Sequence, residues 1–91
     1  MKVSVQLPPL LRASSGGARV IDAEGGDIRQ VMVDLSRRNP MLARHLFDEV
    51  GFLRPSIVFL HDGQLIRAAD AQTRKVSAGD EIVVTNALSG G

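Results

Sequence analysis

Ala78-Gly79-Asp80-Glu81-Ile82-Val83-Val84-Thr85 is the stretch that decides the architecture. Ala78-Gly79-Asp80 is turn chemistry, and Glu81 to Thr85 reads as the last strand, since β-branched side chains fit a pleated surface better than a helix. Ile82-Val83-Val84 runs without polar alternation, which predicts burial on both faces and a place in the middle of a sheet. A central strand this late in the chain must find its neighbours upstream. Lys2 to Leu7 sets Val3, Val5 and Leu7 on one face of a strand that Pro8-Pro9 stops. The polar stretch from Arg12 to Ala18 then turns the chain, and Arg19 to Ala23 is the natural hairpin partner. Gly16-Gly17 serves that turn; a phosphate-cradling loop would need a helix N-terminus behind it, and none follows.

Between the outer strands lies the clearest helix signal. Gly25-Gly26 breaks the strand, Asp27 is a good N-cap, and Gln30 stands where a capping box places Glu or Gln. Ile28, Val31, Met32 and Leu35 keep the spacing of one buried helical face, and Asn39-Pro40 ends it. The segment from Met41 to Val50 reads either as a second, weaker helix, with Leu42, Leu46 and Val50 on one side and Gly51 past its end, or as irregular structure. Ser56 to Leu60 is β-rich, and Asp62-Gly63 between Phe59-Leu60 and Leu65-Ile66 is a strong hairpin signal. Ala68 to Val76 has no clean period and reads as a connection with a turn of helix.

The order is strand, strand, helix, strand, short strand, strand, tail. With the first and last strands as neighbours, this is an α+β, β-grasp (ubiquitin-like) arrangement. It has a mixed sheet of about 4–5 strands packed on one main helix. Residues 1–86 form the domain and 87–91 a flexible C-terminal Gly-Gly tail, launched from the end of the central strand.

Composition narrows the function. Ninety-one residues make one domain, 44% apolar, with a core built mainly from Val, Leu and Ile because Phe47, Phe52 and Phe59 are the only aromatics. Net charge is +1 with both signs dispersed along the sequence, so neither the electrostatic footprint nor the stacking platform of a nucleic-acid binder is present. Arg37-Arg38 reads as a solvated helix end near the negative pole of the dipole. No cysteine is present, which excludes disulfides, thiolate metal sites and a Cys nucleophile. His45 and His61 fall on different elements, so no metal site is expected. No Ser, His, Asp or Glu cluster forms a nucleophile–base pair by motif, and no catalysis by the chain itself is expected. With no signal-like apolar core and no run near ~18 apolar residues, the chain reads as cytoplasmic, without a membrane partner.

Gly90-Gly91, following Leu88-Ser89, closes the chain on an unbranched carboxylate. Glycine lacks a Cβ, so such a tail can run extended through a narrow channel. A carboxylate becomes a good electrophile only when converted to something like an adenylate, and this ending reads as a substrate for ATP-dependent activation.

The hairpin, the capped helix, the run Gly79-Asp80-Glu81-Ile82-Val83 and the terminal Gly90-Gly91 together resemble the ubiquitin-like sulfur carriers. That family takes in the small subunit of molybdopterin synthase, the thiamine-pathway carrier and a mycobacterial cysteine-pathway carrier. The resemblance covers the whole chain. It implies that an E1-like adenylating enzyme, using ATP, activates Gly91, that sulfur replaces the adenylate to give a thiocarboxylate, and that the tail delivers this sulfur to an accepting synthase. The chain itself would bind no cofactor. Gly91 would carry the reactive group, Gly90 the thin approach and Leu88 an anchor, with Ser89 between them in the tail. Phe59 and Leu65 match the family's apolar partner-contact patch on the sheet, with core burial the competing reading for Phe59. Unlike the typical molybdopterin subunit, the stretch Thr85 to Ser89 is polar and has no proline. A ubiquitin-style protein modifier and a plain β-grasp interaction module are the alternatives.

Overall fold

The structure, a computed structural model, describes residues 1–86; the tail expected at 87–91 lies outside the described residues. Five strands form one mixed sheet: β1 (Lys2–Gln6), β2 (Val20–Glu24), β3 (Ile57–His61), β4 (Gln64–Arg67) and β5 (Glu81–Asn86), ordered β2-β1-β5-β3-β4. The last strand is central, as its sequence predicts. It runs parallel to β1 (Ser4 opposite Glu81, Val5 opposite Ile82, Gln6 opposite Val83) and antiparallel to β3 (Ile57 opposite Asn86, His61 opposite Ile82). β1–β2 and β3–β4 are antiparallel hairpins on either side. Asp62 and Gly63 both take positive φ (54° and 73°), the conformation of a two-residue hairpin turn whose twist matches the strands.

α1 (Pro9–Arg12) is a single turn that the sequence reading leaves as loop. Pro9 opens it because its ring already holds the helical φ and its missing N–H is not needed there, and the turn buries Leu11. α2 (Ile28–Arg38) starts as its sequence dictates: Asp27 Oδ1 accepts the Gln30 amide at 2.8 Å. Gln30 Oε1 reaches back one residue further than in a standard capping box, accepting from the Gly26 amide at 2.8 Å. A Cβ on Gly25 would lie 2.6 Å from the Val31 nitrogen, so the helix start and the strand before it meet too closely for any other residue. At the far end Arg38 pairs with Asp34 at 2.8 Å, and Asp34 accepts the Glu24 amide at 2.9 Å, tying α2 to β2.

α3 (Pro40–Leu46) is shorter than the helical reading of Met41–Val50, and the correction has a clear cause. Phe47 turns to extended backbone and bridges Leu53, while the Asp48 carboxylate accepts the amides of Val50, Gly51 and Phe52 at 2.9–3.0 Å. That side chain offers the backbone better partners than another helical turn would. The three amides, Phe52 first, hold the Asp48 carboxyl below its usual range. Val50 is therefore 79% exposed instead of lying on the buried face, while Leu42 and Leu46 are fully buried.

The core lies between the helices and one sheet face. Ile28, Val31, Met32 and Leu35 of α2 meet Val3, Val5, Phe59, Ile82 and Val84, all at 0–2% exposure. Ile82→Ala is expected to cost about 2–5 kcal/mol by urea unfolding, the usual penalty for emptying a fully buried site. Gly25→Ala should also destabilise the fold, although it adds only one methyl group, because the Val31 backbone cannot yield to it.

Candidate functional site

Alternation along β5 points Ile82 and Val84 into the core and Val83 and Thr85 to the other face. Val83 is only half-buried, so the expectation of burial on both sides is corrected: one face is covered and the other is open. The uninterrupted apolar run instead reflects an apolar row on that open face. Leu65 lies opposite Leu60, Leu60 opposite Val83, Val83 opposite Gln6 and Gln6 opposite Val20. Leu65, Leu60 and Val20 are 65%, 41% and 49% exposed, so this row crosses the sheet as a surface with a single polar interruption. Asn86 lies three residues beyond Val83, about 10 Å along the strand.

Phe59 is not part of this surface. It is fully buried, because the two-residue hairpin pairs it with Ile66 on the core face while Leu60 pairs with Leu65 on the open one. A ring inside the core cannot touch a partner, and Leu60 occupies the surface position in its place. Leu60, Val83 and Val20 are the residues that sequence reasoning missed. The Asp62-Gly63 turn contained the signal for Leu60, since its register already separates Phe59 from Leu65.

The turn that launches β5 is held by a buried polar cluster. His61, 3% exposed, sits at the end of β3 with its Nε2 2.8 Å from Asp80 Oδ2, while Arg74 Nε donates to His61 Nδ1 at 2.9 Å. With Nδ1 accepting from Arg74, Nε2 is the nitrogen that donates to Asp80. Asp80 Oδ2 also accepts the Ser77 amide at 2.8 Å, and Arg74 Nη1 donates to Gln64 Oε1 at 2.9 Å. With both ring nitrogens occupied, His61 serves as a brace between the hairpin and the turn, with no free nitrogen for a base or a metal. His45 lies exposed on α3. Among the described residues, no group of three or more His, Asp or Glu side chains is arranged to hold a metal ion.

The His61 hydrogen bond, and after it the Ser77 amide, hold the Asp80 carboxyl below its usual range. A lowered carboxyl stabilises the fold above its unfolded pKa of about 4, and that contribution disappears as pH falls through the folded value. Asp80→Asn keeps the shape and removes the charge. It should lower Tm at neutral pH, and the gap from the unmodified protein should close on acidification below about pH 4.

No family model matches the chain. The sulfur carrier protein CysO of Mycobacterium tuberculosis is 25% identical over 93 aligned positions that span 100% of both chains. The small archaeal modifier protein SAMP1 of Haloferax volcanii superposes with a TM-score of 0.81 at 24% identity, covering 100% of both chains. CysO of Amycolatopsis orientalis, solved in complex with BexX, superposes with a TM-score of 0.80 at 23% identity over 98% of this chain and 99% of that one. Over its whole length the chain is similar to a sulfur carrier protein, and it shares the β-grasp fold of these neighbours.

The structure brings the exposed Leu65 into one open surface with Leu60 of β3 and Val83 of β5. Leu88, Ser89, Gly90 and Gly91, the residues expected to carry the chemistry, lie outside the described residues. The described part supplies the β-grasp body, and no described helix is long and apolar enough to cross a membrane.

Proposed function

We propose that this chain is a sulfur carrier whose Gly91 carboxylate is activated and thiolated in trans. The observation that carries the reading is the match to a sulfur carrier protein over the full length of both chains. It is supported by a central β5 whose last described residue stands five positions before Gly91. In the first step the carboxylate attacks the α-phosphorus of ATP, forming an acyl adenylate and releasing pyrophosphate. A hydrosulfide equivalent from a sulfur donor then adds to the acyl carbon; the C–S bond forms and AMP leaves, giving a thiocarboxylate. ATP is bound by an E1-like enzyme, and the carrier contributes the tail and the docking surface. In an accepting synthase the thiocarboxylate sulfur displaces a leaving group from an acceptor carbon to form a thioester, and hydrolysis of the acyl C–S bond leaves the sulfur on the acceptor and restores the Gly91 carboxylate. The proline-free stretch from Thr85 to Ser89 favours a cysteine-forming or other sulfur-incorporating synthase over the molybdopterin one.

The open row of Leu65, Leu60 and Val83 is the surface such enzymes would grip. It is exposed and apolar, and it is rigidly linked through β5 to the start of the tail. Attachment of the same activated tail to target lysines is the alternative that the fold shared with SAMP1 keeps in view.

The test uses the absence of cysteine. After incubation with ATP, the source organism's E1-like enzyme and sulfide, a thiol-alkylating reagent should label the C-terminal residue, located by fragment mass spectrometry. Deleting Gly90-Gly91 should abolish the label and change unfolding free energy by less than about 1 kcal/mol, since it removes no residue of the described core. Leu60→Asp should keep the fold and weaken labelling several-fold. Labelling of the truncated chain, or no label on the intact one, would contradict the reading; higher-mass lysine conjugates without a thiocarboxylate would favour the modifier.

A further inference from the structure

The sequence disperses its charges, but the topology gathers them. β1 and β5 run in parallel while β2 and β3 run against them, so the ends of β1 and β5 and the starts of β2 and β3 lie at one edge of the sheet. That edge is where the chain leaves β5, and it is rich in arginine. Arg67 continues the row that runs from Thr85 through Val58, and the Arg19 carbonyl accepts the amide of Leu7 just past the end of β1. Arg12 follows on α1, its Nε donating to Leu7 O at 3.2 Å. Arg44, His45 and Arg54 line a groove of about 310 Å³ with Leu10 and Ile57, and Ile57 is the residue paired with Asn86.

None of Arg12, Arg19, Arg44, Arg54 and Arg67 forms an ion pair with a carboxylate among the described residues. Asp48 and Glu49 border Arg44 and Arg54 and partly offset them, Asp48 feeling the charge of Arg54 while holding three backbone amides, so Arg12, Arg19 and Arg67 are the least compensated of the five. The acidic side chains Glu24, Asp62, Asp80 and Glu81 stand at the opposite edge of the sheet, together with Lys2, Arg74 and Lys75. The chain is therefore near neutral as a whole, with its arginines gathered at the edge of the sheet where β5 ends.

We propose that this arginine collar is the docking surface for an acidic rim at the mouth of the channel in the adenylating enzyme that receives the tail. The inference rests on the carrier reading above. A tail that enters another protein's channel brings this edge of the domain against the channel's mouth, and the residues between Asn86 and Gly91 carry no side-chain charge to answer five arginines. Complementary charge at such a contact raises the encounter rate and fixes orientation more than it adds to the chemical step.

The experiment is steady-state pyrophosphate exchange by the source organism's adenylating enzyme, with this protein as the varied substrate. Arg19→Glu combined with Arg67→Glu is the test variant, since both side chains are exposed and neither takes part in a described side-chain hydrogen bond or ion pair. Glu81→Lys, at the opposite edge, is the control. The double variant, with unchanged circular dichroism and Tm, should raise KM about tenfold or more and leave kcat unaltered. Raising salt from about 50 to about 300 mM, which shortens the Debye length to well under 10 Å, should raise the unmodified protein's KM and leave the variant's nearly constant. Glu81→Lys should behave as the unmodified protein does. An unchanged KM in the double variant would overturn the collar while leaving the carrier reading intact. A fall in kcat alone, or a lower KM because the collar had been holding the chain's own carboxylate, would overturn it equally. No exchange with the unmodified protein would remove the carrier reading and the collar together.

Discussion

The pairing of the last strand with the first is the constraint on which the rest of the structure depends. Without β5 the sheet is two separate hairpins, β1–β2 and β3–β4, and a two-stranded hairpin is marginal on its own. β5 joins them by hydrogen-bonding on both sides, and its Ile82 and Val84 complete the floor on which α2 packs. The contact is made between residues nearly a chain length apart, so its loop-closure entropy must be offset by burial. The body is complete only when residue 86 is in place, and the chain leaves it from the middle of the finished sheet.

The same strand accounts for the division of labour across the sheet. One set of its side chains builds the core and the alternate set contributes to an open apolar row, so stability and recognition are separated by the two-residue period of a strand. The brace of Arg74, His61 and Asp80 fixes the turn from which β5 starts, at the edge opposite the end of that strand. A partner that gripped Leu60, Leu65 and Val83 would hold the tail's point of departure at a fixed distance. The arginines at the exit edge would orient that grip.

Local signals in the sequence carried much of this architecture. Asp27 and Gln30 marked the start of α2, Asp62-Gly63 marked the β3–β4 hairpin, and Ile82-Val83-Val84 marked the central strand. The failures arose where a non-local partner or a side chain overrode the pattern. The helix read as reaching Val50 stopped at Leu46 because the Asp48 carboxylate took the next amides for itself. Pro8-Pro9 read as a strand stop, and it also opened a buried turn at Leu11. Of the two readings of Phe59, core burial is the one the structure gives, and the register that decides it was already contained in the hairpin signal. The charge polarity was illegible for a different reason: arginines spread from position 12 to position 67 meet only once strand directions are known.

The central claim, that this domain exists to carry sulfur on its last residue, is tested most directly by the intact mass of the protein isolated from its own cells under mild, non-reducing conditions. The account predicts a population heavier by the replacement of one oxygen with sulfur, with fragment ions placing the change on Gly91. A protein found only with the unmodified carboxylate, in cells actively making the sulfur-containing product and with the activating enzyme present, would contradict it.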